Sequence, residues 1–264
     1  MNPKLKKYWS GKSILITGAS SGLGYALAEA LARYNVQLGL LSRREQPMWE
    51  LADKHRDSGS KFWIKSCDVR ERSAVESAVR EFHEYAGKID VAWINSGVAG
   101  NTHYRKWNYD FVETLIDTNI KGAIYTTKAC LDYMVANGSG TIVGISSASS
   151  MQGLPARGVY SMTKIALTYY LQSVAAELPQ IQFTIINPGF VDTPINRGNP
   201  NRFWLLYPDK AAQLMIKAVA KKKAVYTYPF RMMLLYKFVW HLPDFCRNWL
   251  ARKLAAFSDP GSEG

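Results

Sequence analysis

Tyr160 and Lys164 stand four residues apart in YSMTK, thirteen residues after Ser147, and these three side-chain types together can move a proton to or from an oxygen. A free phenol ionises near pH ~10, so a tyrosinate useful at neutral pH needs a depression of roughly 2 to 3 pH units, about 3 to 4 kcal/mol. A lysine ammonium about 4 Å away, at an effective dielectric near ~20, supplies a comparable amount, so proximity to one ammonium is expected to be nearly sufficient. The spacing alone is unspecific, because Tyr8 and Lys12 repeat it in an N-terminal stretch where nothing else is catalytic in character. Around Tyr160 the context differs: Ile165, Leu167, Tyr170, Leu171 and Val174 recur at helical intervals, which puts Lys164 one turn along the face that carries Tyr160. Ser147 closes GTIVGISS, a buried-strand pattern followed by polar punctuation. Its hydroxyl could hold a substrate carbonyl; with Ser146, Ser149 and Ser150 beside it, a plain loop is the other reading.

A second chemistry-bearing feature lies far upstream, where the strand-like SILIT runs into the turn TGASSGLG at residues 17–24 and then into a helix expected from Gly22 to Tyr34. Gly18 permits a sharp turn, Gly22 lets the backbone approach a pyrophosphate, and Gly24 lets helix and strand pack closely. The helix N-terminus offers free N–H groups and the positive end of a dipole to an anion. Ser20, Ser21 and Leu23 complete this candidate phosphate cradle, whose spacing is G-x-x-x-G-x-G.

With these motifs, spread from Thr17 to Thr193, the chain resembles the single-domain short-chain dehydrogenase/reductase family. The resemblance implies that Ser147, Tyr160 and Lys164 act with Asn119, from DTNIKGA, and that Asn119 helps retain a water for proton relay. The family's Asn-Asn-Ala-Gly strand end stands here as Ile94-Asn95-Ser96-Gly97, and Asn95, Ser96 and Gly97 are expected beside the cofactor ribose. Asp68 and Val69, in CDVR, are expected at the adenine; Pro188, Gly189, Val191 and Thr193, in NPGFVDTP, at the nicotinamide and its carboxamide. The second strand ends in Ser42-Arg43-Arg44, with no carboxylate to accept from a ribose 2′-hydroxyl. An arginine there can fork onto a 2′-phosphate, which favours NADP(H) over NAD(H); ordinary solvated charges after a strand are the alternative.

The elements that must position these residues alternate in type almost to the end of the 264-residue chain. Strand patterns fall near residues 13–17, 36–42, 61–66, 89–95, 140–146, 181–187 and 224–228. They predict one α/β domain over residues 1–264, a Rossmann-type doubly wound parallel sheet with helices on both faces, ligands at the strand carboxyl ends and a core of about 10–228. Cys67, Cys130 and Cys246 are scattered and the four histidines lack metal-ligand spacing, so neither a disulfide framework nor a metal site is expected. The N-terminus is basic but has no apolar run of a secretory signal, which points to the cytoplasm.

Charge is uneven. The chain has 33 basic and 21 acidic residues, a net +12, and residues 221–257 carry eight basic side chains against the single Asp244. This stretch is also rich in aromatic and aliphatic residues, interrupted too often by charge to span a bilayer. Its basic, aromatic part at 229–264 has three readings: helices over the substrate cleft or a partner subunit of a homo-oligomer, a peripheral membrane contact, or a nucleic-acid patch, the last without any recognition motif. The segment between Pro194 and Asp209, with Phe203, Trp204, Leu205 and Leu206, reads as a lid over an apolar substrate or as core from a short helix. The function expected is hydride transfer between the cofactor and a small carbonyl or alcohol substrate, with Tyr160 as acid or base. The rivals are a non-catalytic cofactor-binding scaffold or sensor, and an epimerase or dehydratase on the same fold.

Overall fold

The computed structural model describes residues 2–196 and 202–256. Among them β1 (Ser13–Thr17), β2 (Gln37–Ser42), β3 (Lys61–Ser66), β4 (Val91–Ile94), β5 (Thr141–Ile145), β6 (Gln182–Pro188) and β7 (Val225–Tyr228) form one seven-stranded sheet in the order β3-β2-β1-β4-β5-β6-β7. Every pairing is parallel; Ile14, for example, lies opposite Leu38 on one side and Val91 on the other. The order turns back on itself at β1, so a crevice opens there at the carboxyl ends, where doubly wound sheets bind ligands. The expected fold class is the observed one, with β4 shorter than its pattern suggested.

Burial on both faces explains why the strands read as nearly continuous apolar runs. All five residues of β1 are buried, and they alternate: Ile14 and Ile16 enter the core shared with α1 (Pro3–Trp9), α2 (Gly22–Leu31), α3 (Gln46–Lys54) and α8 (Pro208–Ala220). Leu15 enters the opposite core with α4 (Arg72–Ala86), α6 (Gly122–Ala136) and α7 (Gly158–Glu177). The helix expected to reach Tyr34 stops being α-helical at Leu31, and Ala32–Tyr34 tighten into a 3₁₀ turn that Asn35 ends in the left-handed region. Tightening of this kind satisfies terminal carbonyls that an α-helix leaves open.

The position of α7 decides the site. Leu167 and Leu171 are buried, each stabilising its docking by roughly 1.5–3 kcal/mol. Leu171 lies directly on β5, where a Cβ on Gly144 would stand 2.2 Å from its Cδ1. Only the bare backbone of Gly144 lets the helix come this near the strand that leads to Ser147.

Beyond β7, α9 (Phe230–Trp240) and α10 (Asp244–Ala256) form the C-terminal helices. No helix among the described residues is long and apolar enough to cross a membrane. The three cysteines are free thiols, and no cluster of His, Cys, Asp and Glu among the described residues could hold a metal ion.

Candidate active site

A cleft of about 1310 Å³ runs along the carboxyl ends of the strands. Pockets for one small ligand are typically about 300–1,000 Å³, so this cleft has room for a dinucleotide and a second molecule. Of the residues expected at the site from the sequence, all but Gly24 and Asn119 line it.

At the β1 end the wall is largely backbone. Gly18 sits at φ +68 and Gly22 at φ +58, conformations that L side chains rarely adopt. A Cβ on Gly24 would lie 2.3 Å from the Gly18 carbonyl oxygen and 2.5 Å from Asn95 Nδ2, so this glycine serves the close packing of α2 behind the wall. Asn95 Nδ2 donates to the Thr17 carbonyl at 2.8 Å, and the Thr17 hydroxyl accepts from the backbone N–H of Asn95 (3.0 Å) and Ser96 (3.1 Å). The altered Ile94-Asn95-Ser96-Gly97 segment is therefore still tied to the end of β1 through Asn95 and Ser96.

At the end of β2, the Ser42 hydroxyl donates to Ser20 Oγ at 2.7 Å and Arg44 Nη2 reaches the same oxygen at 3.4 Å. Arg43 and Arg44 both line the cleft, and Arg44, not only Arg43, is tied to the glycine turn. The adjacent carboxylate, Glu45, is turned away and accepts from the Ser66 N–H at 2.6 Å and from Trp49 Nε1 at 3.3 Å. Asp68 lines the cleft, but its carboxylate is clamped by Arg70, with Nη2 at 2.6 Å and Nε at 3.0 Å; that hydrogen bonding holds it below its ordinary ionisation range.

At the β5 end the reactive side chains converge. Ser147 caps a short 3₁₀ turn, and its Oγ accepts from Ser149 N (3.1 Å) and Ser149 Oγ (2.8 Å), which fixes the hydroxyl on the cleft wall, where it works to lower the pKa of the Tyr160 phenol. Ser146, one residue back, points to the opposite side and donates to the Lys164 carbonyl at 2.9 Å, fixing α7. Lys164 is 4 % exposed; its ammonium donates to the Ile145 carbonyl at 2.9 Å and lies 5.8 Å from the Tyr160 ring centroid. Burial lowers its pKa to about 8.

The expected acidification of Tyr160 by Lys164 is opposed by burial. Burial raises the phenol above its ordinary range, and the Ser147 hydrogen bond and the Arg157 charge pull against that without prevailing. Removing a phenolate from water outweighs the nearby charge, and the ammonium itself is directed at Ile145. Asn119 stands back from the cleft. It sits in a π-helical turn, Asp117–Lys121, between α5 (Tyr109–Ile116) and α6, and lies behind the Gly97 wall. Its amide bridges both backbone groups of Val98 (2.8 and 2.9 Å) and donates to Thr163 Oγ1 at 3.0 Å, locking the β4 loop to α7. Such π turns recur at functional sites because they redirect one side chain out of helical register.

The loop after β6 turns at Gly189, whose N–H donates to the Tyr228 carbonyl at 2.7 Å. A Cβ there would meet Pro229 at 3.0 Å and Met232 at 3.1 Å, so this glycine also admits α9 against the cleft. Of the expected lid, residues 197–201 lie outside the described residues. Phe203 lines the cleft, edge-on to Phe190 at 5.2 Å, and Leu206 bridges to the loop after β6. The sequence reading missed Leu154, Arg157 and Phe190, and did not resolve which tail residues enter the cleft: Met232, Leu235 and Val239 from α9 and Arg247 and Leu250 from α10. Arg157, one turn ahead of Tyr160, carried a spacing signal; the tail residues carried none.

The family profile described as short chain dehydrogenase matches residues 12–202. The chain belongs to the short-chain dehydrogenase family. An uncharacterized oxidoreductase of Myxococcus xanthus is 32% identical over 249 residues, covering 93% of this chain and 98% of that protein. A ketoacyl reductase, HetN, of a Nostoc species is 28% identical over 222 residues, covering 81% of this chain and 77% of its own. An alcohol dehydrogenase from Thermococcus sibiricus, solved in complex with 5-hydroxy-NADP, superposes with a TM-score of 0.76 at 28% identity, over 83% of this chain and 95% of that one. Membership makes the protein an NAD(P)-dependent dehydrogenase/reductase, and the glycine-walled crevice fits a dinucleotide.

Proposed function

We propose that the protein is an NADP(H)-dependent carbonyl reductase or alcohol dehydrogenase acting on a small, largely apolar substrate through Ser147, Tyr160 and Lys164. The observation that carries this is the pinned Ser147 hydroxyl on the same cleft wall as Tyr160 and Lys164, in a cleft whose far end is a glycine turn. Ser147 and Tyr160 both donate to the substrate oxygen, and burial keeps the phenol protonated at neutral pH, ready to act as a general acid. The nicotinamide, when bound, supplies or accepts the hydride. Tyr160 gives its proton to the oxygen during reduction and takes it during alcohol oxidation. Lys164, fixed at both ends by the carboxyl end of β5, would hold the nicotinamide ribose. Asn119 serves the site by holding Val98 and Thr163, with the proton relay as its further role.

The preference for NADP(H) rests on Arg43 and Arg44 at the end of β2 and on Glu45 being turned away. The apolar substrate rests on Leu154, Phe190, Phe203, Met232, Leu235 and Val239 along the cleft. The outward faces of α9 and α10 expose Phe230, Leu234, Phe238, Phe245 and Trp249 beside Arg231, Lys237, Arg252 and Lys253, a surface suited to a second copy of the chain or to an anionic bilayer. The direct test is turnover of aldehydes, ketones and secondary alcohols with NADPH and with NADH. Wild type is expected to favour NADPH, and Arg44→Ala to cut that preference by about 1.5–3 kcal/mol, the worth of a hydrogen bond to a charged group. Equal use of both cofactors would end the NADP(H) assignment, and silence across all chemotypes would favour a binding scaffold.

A further inference from the structure

The cleft is lined by five cationic side chains, Arg43, Arg44, Arg157, Lys164 and Arg247, against one carboxylate, Asp68, which Arg70 already neutralises. Arg43 and Arg44 stand at the cofactor's phosphate end and Lys164 at its ribose, which leaves Arg157, joined by Arg247, on the substrate side. The Arg157 side chain forms no hydrogen bond or ion pair among the described residues, yet it is half-buried and close enough to Tyr160 for its charge to act there. Arg247 reaches the cleft from α10 and also pairs with Asp244, whose carboxylate is 82% exposed and screened by water.

Arg157 is held in place by its backbone. Its N–H donates to the Leu154 carbonyl at 3.1 Å, its carbonyl accepts from Ser161 N at 2.9 Å, and the carbonyl of Ala156 accepts from Thr102 N at 2.7 Å. Ala156 itself sits at φ +57, a strained conformation for a residue with a Cβ, of the kind that persists where surrounding structure over-determines it. Its guanidinium is part-exposed on the cleft wall, where an anionic group of a bound molecule would complete it.

We propose that the substrate is amphiphilic, a carbonyl compound or alcohol whose apolar body lies along Leu154, Phe190, Met232 and Leu235 and whose anionic group is held by Arg157, with Arg247 as the second cation. This rests on the reductase reading above and adds the charge of the substrate to it. The bidentate fork of arginine matches a carboxylate, the smallest anion that satisfies the geometry.

The experiment compares an oxodecanoate with its methyl ester in NADPH-dependent turnover, and decanoate with methyl decanoate in binding to the NADPH-loaded protein. The acid is expected to exceed the ester by on the order of ten- to a hundredfold in kcat/KM and in affinity, the range of a charge-assisted hydrogen bond. Arg157→Gln collapses both ratios and Arg157→Lys retains part of each; should Arg157→Gln not fold, Arg157→Lys and Arg247→Gln read the same ratios. An ester as good as the acid overturns the proposal. So does an Arg157→Gln protein that loses both rates equally with the ratio intact, since Arg157 would then act only through Tyr160. If neither oxo compound is reduced but decanoate binds in an Arg157-dependent way, the anion site at Arg157 stands while the reductase reading is left to the wider substrate screen; if decanoate shows no advantage over methyl decanoate, the anion site falls whatever that screen finds.

Discussion

At the β1, β2 and β4 end of the cleft, the wall consists of backbone and short polar side chains: Gly18 and Gly22 in the turn, the Thr17 hydroxyl bonded to two successive N–H groups, Asn95 tied to the Thr17 carbonyl. At the β5 and β6 end it consists of long side chains from α7, α9, α10 and the loops, among them Arg157, Phe190, Met232 and Leu250. The first end is rigid by conformation and close approach, and it suits a ligand whose shape is fixed. The second is shaped by which side chains converge from distant parts of the chain, and it can be respecified by changing them without disturbing the sheet. The two ends of the crevice are thus built from different physical devices.

The sharpest test of the shared boundary is Tyr160→Phe. Loss of the proton donor is expected to lower turnover by roughly 10²–10⁴-fold, while dinucleotide affinity, set at the other end, stays within error in a fluorescence titration. Near-normal turnover would remove Tyr160 from the chemistry.

Lys164 lies where the two ends meet, and its burial makes a pH prediction. The folded protein releases its proton at about 8 and the unfolded chain near the ordinary 10.5, so between these values the unfolded chain binds more protons and stability rises with pH. Against Lys164→Met, measured by denaturant unfolding from pH 7 to 10.5, wild type should therefore gain on the order of 3 kcal/mol, with the full burial penalty present below about 8. A flat difference would mean that the ammonium is solvated.

At the rigid end, Gly24→Ala forces a methyl to 2.3 Å from the Gly18 carbonyl oxygen. Relief by backbone shift is expected to cost about 1–3 kcal/mol of stability and to weaken dinucleotide binding, read by urea midpoint and titration. An unchanged midpoint would show that the turn has slack. The smallest effect belongs to the outer face of α9: Phe238, 64% exposed, should tolerate Phe238→Ser within about 0.5 kcal/mol. A loss of several kcal/mol would show that this face is covered in solution.

Much of this was legible from residue order. The parallel sheet followed from alternating strand and helix periods, and the glycine turn, Ser147, Tyr160 and Lys164 from spacings within elements or at their ends, where neighbours in sequence are neighbours in space. The effect of burial on the Tyr160 phenol was not, because desolvation depends on the tertiary packing around it. Nor was the position of Asn119, which a π turn rotates behind the Gly97 wall to bridge Val98 and Thr163.

The sequence by itself determined the fold class, the family and the spacing of Ser147, Tyr160 and Lys164, since those are encoded by local periodicity and by side chains a turn or a strand-end apart. Tertiary structure alone decided that the basic aromatic tail lays Met232, Val239 and Arg247 along the β5 and β6 end of the cleft, and that Arg157 stands there with no ion pair among the described residues. Contacts between residues far apart in the chain leave no spacing to read; they exist only once the sheet has brought its carboxyl ends together.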